Sequence, residues 1–340
     1  MYTCAPMRVT FVVHLAAGLA RGGLELQAEN TRAALEGLGV DVRILSPEDR
    51  TFDGDIVHFF GTYPGYPAVG HYCRTLRIPY VCTPVLLVDQ SGAALRWRAF
   101  RKRYIQASWP REQAQLYRGA ARLLTLTSAE ERNLDDYFGG GLAEKVRIPI
   151  GVDARFHSGE ATAFRSRFPI HEPFVLVTGR LEKRKNQLGV IRAMKGSGRP
   201  LVLIGGAEDK PYLEACQAEG KDFVHYLGKL DLADPALAGA YAAARVFCMP
   251  SGSEVLSASA LEAAVAGLPL VLGDAWGAQD IFGGDGRYVR PGDIGAIRRA
   301  LDDLWDLNGN RAARAKRYRQ EFDWRSVGQR IVDVYHEVVD

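Results

Sequence analysis

Two stretches concentrate side chains that could do chemistry, and both lie where a predicted strand passes into a predicted helix. The first is VTGRLEKRKN at 177–186. Its strand ends at Gly179, Arg180 follows at once, and Lys183, Arg184 and Lys185 crowd the turn before the next helix. Free amides and the helix dipole already favour an anion at such a place. Arginine grips phosphate oxygens in pairs and lysine adds a point charge, so a diphosphate is the natural guest. A solvated basic loop is the plain alternative. The second stretch is PSGSEVLSASALEAAVAGLPLV at 250–271, in which Glu254 and Glu262 stand eight residues apart. The helix is expected to begin between them, near Ser257 to Ser259, whose hydroxyls are suitable caps. Glu254 then lies just past a strand, and Glu262 sits a turn or two into the helix among Leu261, Ala263 and Val265. A carboxylate on an apolar face requires a partner, either a ligand diol with two hydroxyl donors or a neighbouring arginine.

Positioning these groups falls to alternating short strands and helices. VTFVVHL (9–15), VDVRILS (40–46), DIVHFF (55–60), YVCTPVLL (80–87) and ARLLTLTS (121–128) read as strands. Helices are expected over 24–39 and 93–120, and again after Ser128 as cap. A second series starts at 173–179, with strands over 200–206, 222–228, 245–251 and 269–274. Its helices are expected over 186–194, 210–220, 235–244 and 258–267. Near-continuous Val, Ile and Leu strands alternating with helices predict parallel sheets covered on both faces. The α/β series occurs twice, which predicts two Rossmann-like domains joined around 154–172. Ligands of such sheets bind beyond the carboxyl ends of the strands, here in a cleft between facing domains.

A length of 340 residues suits two domains. Lys and Arg total 43 against 40 Asp and Glu, a net charge of +3 that argues against a general nucleic-acid binder. The composition, 47% apolar and 24% charged, excludes disorder. Five scattered cysteines without a CxxC pair read as structural thiols of a reducing compartment. No run approaches the ~18 apolar residues of a membrane span. The apolar run after Arg8 is interrupted by His14 and reads as a first strand rather than a leader. A cytoplasmic protein is expected. No DxD motif is read near a strand end, while Asp135-Asp136 and Asp302-Asp303 read as helix-surface pairs, so no metal is expected.

GRLEKRKN followed some seventy residues later by the Glu254 to Glu262 spacing and EAAVAGLPLV resembles the retaining nucleotide-sugar glycosyltransferases of glycosyltransferase family 4. Gly22-Gly23 followed by Glu25, TSAEERN at 127–133, IPIGVD at 148–153, GDGRYVRPGD at 284–293 and FDWRSVGQRIVDVYHEV at 322–338 agree, in order along nearly the whole chain. The resemblance implies the GT-B fold, with an acceptor-side domain over 1–155, a donor domain over 156–324 and a final helix over 325–340 crossing back. It implies that Arg180 and Lys185, beside Gly179, hold a donor diphosphate and neutralise the leaving group. Glu254 would lie against the donor sugar as a catalytic group and Glu262 would bind the ribose hydroxyls. Val255, Leu256, Ser257 and Ala258 would offer backbone amides, Leu230 would border the base, and Gly22 and Gly23 would let the backbone approach the diphosphate. The nucleoside diphosphate sugar is then a co-substrate, with no cofactor or metal, and the acceptor a glycan or glycolipid of polysaccharide biosynthesis.

Departures accompany the resemblance. Family members commonly carry glycine where Val255 and Ser257 stand, and the histidine of a TxH turn is replaced in Thr83-Pro84-Val85. These leave open a non-catalytic nucleotide-sugar-binding or regulatory subunit, and an epimerase of the same architecture is a weaker rival. His58 is the histidine best placed in the N-terminal wall, with a sugar or acceptor contact and a structural hydrogen bond both open to it; His14 reads as a core residue. Residues 96–122 hold eight basic residues, one acid and interleaved Trp97, Phe100, Tyr104, Trp109 and Tyr117. Such a surface suits peripheral contact with anionic membrane, an acidic acceptor or plain solvation. RAARAKRYR at 311–319 reads as a solvated helix.

Overall fold

The computed structural model describes residues 6–14, 22–87, 108–274, 277–307 and 309–340. The chain divides into two units, Met1–Gly151 with Trp324–Asp340, and Val152–Asp323. The division falls ahead of 155 because Val152 bridges to Asp323 and donates its N–H to Phe322 O at 2.7 Å.

In the first unit, strands β1 (Arg8–Val12), β2 (Asp41–Ile44), β3 (Ile56–Phe60), β4 (Tyr80–Thr83), β5 (Arg122–Thr125) and β6 (Lys145–Arg147) form one parallel sheet. Their order is β2-β1-β3-β4-β5-β6. The described helices are α1 (Gly23–Glu36), α2 (Tyr66–Thr75), α3 (Ser108–Gly119) and α4 (Ser128–Phe138), with Trp324–Val339 returning from the far end of the chain. That last helix buries Val327, Ile331 and Tyr335 in the same core as Val9, Phe11, Ala28 and Leu35. Helix α2 lies between the strands expected at 55–60 and 80–87, in a stretch to which the sequence pattern assigns no element. Proline is tolerated in a first helical turn, and the buried Tyr66, Gly70 and Cys73 sit on one face. Thr127 rather than Ser128 caps α4, its hydroxyl accepting the Glu130 N–H at 3.2 Å.

Of the two roles open to His58, the geometry shows the structural one. Its ring is fully buried, with Nδ1 2.6 Å from Tyr335 Oη and Nε2 2.7 Å from Thr83 Oγ1. Burial pushes its pKa down to about 3, so it is a neutral crosslink between β3, β4 and the last helix. His14 is partly buried and stacks on Tyr63. Of the basic, aromatic run at 96–122, residues 96–107 lie outside the described residues. In the described part Tyr117 turns wholly inward and bonds Thr62, so it belongs to the core rather than to a lipid-facing surface. Cys73, Cys82, Cys216 and Cys248 are buried free thiols, and burial pushes Cys73 up to about 12 and Cys216 to about 11. The reading of no DxD near a strand end is corrected: Asp53 and Asp55 are so spaced at the amino end of β3, where both engage Arg8.

In the second unit, strands β7 (Val175–Thr178), β8 (Leu201–Ile204), β9 (Val224–Tyr226), β10 (Val246–Met249), β11 (Leu270–Gly273) and β12 (Gly286–Val289) pair in parallel as β12-β11-β10-β7-β8-β9. Every residue of β7, β8, β10 and β11 is buried, as their unbroken apolar runs require under helices on both faces. The helices are α5 (Arg155–Ser158), α6 (Ala161–Arg165), α7 (Gln187–Met194), α8 (Lys210–Glu219), α9 (Pro235–Ala243), α10 (Ala258–Val265), α11 (Ala278–Phe282), α12 (Ile294–Trp305) and α13 (Arg311–Glu321). The final helix of the first unit is α14 (Trp324–Val339). The expectation of a solvated helix at 311–319 is corrected in part. Arg311, Arg314, Arg317 and Arg319 each turn a guanidinium onto backbone carbonyls, because the ends of neighbouring helices present unpaired acceptors there.

Strain marks the loop after β4. Val85 has φ +47°, a conformation costly for a β-branched side chain. The buried Glu130 carboxylate pins that loop, accepting the N–H groups of Leu86 at 2.9 Å and Leu126 at 2.7 Å. Burial pushes its pKa up to about 7 despite those bonds. Glu130→Ala leaves both amides without their acceptor and should destabilise the first unit by about 2–4 kcal/mol. Denaturant melts check this, and an unchanged midpoint would refute the pinning role.

Candidate functional site

The strand order of the second unit reverses between β7 and β10, the switch point at which open parallel sheets receive ligands beyond their carboxyl ends. Both chemistry-bearing stretches emerge there. After β7, Gly179 has φ +127°, which side-chain-bearing residues rarely adopt, and this bend leads directly into Arg180. A short 3-10 turn, Lys183–Lys185, follows, and Asn186 in the left-handed region passes the chain to α7. Asn186 donates to Pro250 O at 3.3 Å and Pro291 O at 2.7 Å, tying this turn to the loops after β10 and β12.

Glu254 stands at the centre. Its side chain is only 9% exposed, and it meets Lys185 Nζ at 2.6 Å and Arg184 Nη1 at 3.0 Å. Arg184 also donates to Ser253 O, and the Gly252 N–H donates to Arg184 O at 2.9 Å, so the two loops are stitched together. The two cations offset the cost of burying this carboxylate. The Arg180 side chain is exposed and makes no hydrogen bond or ion pair among the described residues; its carbonyl is held by Gln187 Nε2 at 2.9 Å. Helix α10 starts where the sequence places it: Ser257 is the cap, its Oγ accepting the Ala260 N–H at 3.3 Å. As at any helix start, the first amides have no acceptor within the helix.

Glu262, one turn into α10, finds a partner that sequence reading did not name. Tyr241 Oη, from α9, donates to Glu262 Oε2 and lies 2.6 Å from Thr178 Oγ1 at the end of β7. Burial pushes the Glu262 carboxyl up to about 7, while Tyr241, Lys185 and Arg155 favour its ionised form. Arg155 is itself held by Asp153 at 2.7 Å. Tyr241 is a lone aromatic in the alanine-rich PALAGAYAAA, and that contrast is the signal that could have found it.

Gly179, Arg180, Lys185, Glu254, Val255, Leu256, Ser257, Ala258 and Glu262 are thus brought to one edge of the second sheet. Val255 and Ser257 are buried, Leu256 partly buried and Ala258 exposed. Leu230 is buried beyond β9. Gly22 and Gly23 belong to the first unit, at the start of α1, where the Gly22 N–H donates to Glu25 Oε2 at 2.9 Å.

A carboxyl raised from 4.5 to about 7 keeps its proton in the folded state over a range where the unfolded chain releases it. Its contribution to stability therefore falls as pH rises through that range. Glu262→Gln should flatten the decline, gaining on the parent between about pH 5 and about pH 7.5. Denaturant melts across that range check it, and a constant offset between the two proteins would contradict the assignment.

Residues 160–322 match the family model described as Glycosyl transferases group 1. Over 306 residues the chain is 28% identical to the glycogen synthase of Mycobacterium tuberculosis, covering 84% of this chain and 70% of that protein. It is 29% identical over 264 residues to the MMP alpha-(1->4)-mannosyltransferase of Mycolicibacterium hassiacum, covering 73% of this chain and 61% of that one. Sucrose-phosphate synthase from Thermosynechococcus elongatus matches with a TM-score of 0.76 at 19% identity, over 97% of this chain and 98% of that one. HepE of Anabaena, in complex with UDP and glucose, matches with a TM-score of 0.71 at 17% identity, over 97% and 99%. The doubled parallel sheet, the family match over residues 160–322 and these relatives support a GT-B glycosyltransferase of family 4 type.

Proposed function

We propose that this protein moves a glycosyl group from a nucleoside diphosphate sugar to a hydroxyl of a glycan or glycolipid, with retention of anomeric configuration and without a bound metal. The observation that carries this reading is the cation cluster at the switch point, where Lys185 and Arg184 meet on Glu254 beside the exposed Arg180. Breaking a glycosyl–phosphate bond leaves negative charge on the diphosphate, and preorganised cations and helix-start amides stabilise that charge as it develops. Arg180 and Lys185 hold the diphosphate in this reading. Arg184 keeps the Glu254 loop in place, and Glu254 accepts from hydroxyls of the donor sugar. Glu262, oriented by Tyr241, accepts from the ribose diol.

The bond from the sugar C1 to the phosphate oxygen breaks, the acceptor oxygen bonds to C1 on the same face, and the acceptor's proton passes to the departing phosphate. The names of the relatives, a glycogen synthase and a mannosyltransferase, support a hexosyl donor. A cytoplasmic location fits a nucleotide-sugar substrate; among the described residues no helix is long and apolar enough to cross a membrane. Membrane contact through 96–122 is left out of this reading, since Tyr117 points inward.

The rival reading, a nucleotide-sugar-binding subunit without turnover, draws on Val255 and Ser257. Both are absorbed by the loop's own fold, Val255 packed inward and Ser257 capping α10. Lys185→Ala should weaken nucleoside diphosphate binding by about 2–3 kcal/mol, the worth of a charge-assisted contact, and cripple turnover. Calorimetry with UDP, GDP, ADP and dTDP, and diphosphate release from their sugars, check both. Unaltered binding removes the diphosphate site, and binding without any turnover in the parent favours the rival.

A further inference from the structure

Arg311 opens α13 and is partly buried. Among the described residues no carboxylate pairs with it; its charge is met by carbonyls. Nη2 donates to Tyr241 O at 2.7 Å, and Nη1 to Ala242 O at 2.8 Å and Ala244 O at 3.4 Å. Nε donates to Ala266 O at 3.3 Å. One guanidinium therefore caps the end of α9 and the end of α10 together, where unpaired carbonyls and the negative ends of two helix dipoles meet. The close approach depends on Gly267, since a Cβ there would lie 2.3 Å from Arg311 O. Helix α9 carries Tyr241 and α10 carries Glu262, the pair joined by a hydrogen bond on the site side. Arg314, one turn on, donates to Gly267 O at 3.0 Å and reaches only the α10 end.

We propose that Arg311 is a positioning residue of the donor site. By spanning the two helix ends it sets α9 against α10, keeps Tyr241 in register with Glu262, and so fixes the direction in which that carboxylate meets a ribose diol. The inference rests on the donor reading above, with Glu262 at the ribose and Lys185 at the diphosphate. Its signature is a split between the two ends of the ligand, which general loosening of the fold would not produce.

The test measures affinity for UDP, GDP, ADP and dTDP, and for inorganic pyrophosphate, by calorimetry on the full chain. Arg311→Ala should weaken the nucleoside diphosphate that the parent prefers by about tenfold and leave pyrophosphate within about twofold. Arg311→Lys should recover little of the loss, because a point charge cannot span carbonyls on two helices. Arg314→Ala should bind like the parent. Equal losses for pyrophosphate and nucleoside diphosphate, or no loss at all, overturn the proposal. If Arg311→Ala does not fold, Arg311→Lys carries the comparison, and a parental affinity ratio there overturns it equally. A parent that binds none of the nucleoside diphosphates removes the donor reading itself, and the proposal with it.

Discussion

Burying a carboxylate at the carboxyl end of a buried strand is costly unless cations stand beside it, and the second unit is organised around meeting that demand for Glu254. Strand β10 delivers Glu254 to the edge of a sheet whose four central strands are wholly buried. The neighbouring strand β7 ends in a glycine bend that brings Arg184 and Lys185 to the same carboxylate. Because β7 and β10 are adjacent where the strand order reverses, groups some seventy residues apart in the chain meet without any long loop. A cluster held in this way is preorganised, with donors already aimed and little reorganisation left for an arriving anion.

The same logic of meeting buried polar groups runs through both units. Glu262 is satisfied by Tyr241, His58 by Tyr335 and Thr83, Glu130 by two backbone amides, and Arg311 by four carbonyls. All four sets join segments at least 21 residues apart in sequence, and the Glu130 bonds also hold a strained turn after β4. Polar satisfaction of this kind specifies the packing of elements more narrowly than apolar burial does. Here it defines where the loops at the carboxyl edges leave their sheets.

Much of this was readable from residues alone. The strands around Val175, Leu201, Val246 and Leu270 declare themselves through unbroken apolar runs, and the cap at Ser257 through its hydroxyl before an apolar-periodic helix. The positions of Arg180, Lys185, Glu254 and Glu262 past or within those elements follow from the same pattern. What escaped reading depends on contacts between distant segments. Tyr241 and Glu262 are 21 residues apart, and nothing in PALAGAYAAA says where its hydroxyl points. The carbonyl-capping arginines of 311–319 resemble any charged run until the ends of α9 and α10 are seen beneath them. Helix α2 is masked by Gly65, Pro67 and Gly70, which local propensity treats as turn formers, although Pro67 sits in the first helical turn and Gly70 is a point of close approach to Leu116 of α3.

The measurement that bears most directly on the account is a crystal structure of the protein with its preferred nucleoside diphosphate bound. The account predicts phosphate oxygens within hydrogen-bond distance of Lys185 Nζ and the Arg180 guanidinium, with the ribose hydroxyls on Glu262. A diphosphate seated away from the ends of β7 and β10, with Lys185 still bound to Glu254 and no contact to Arg180, would contradict it.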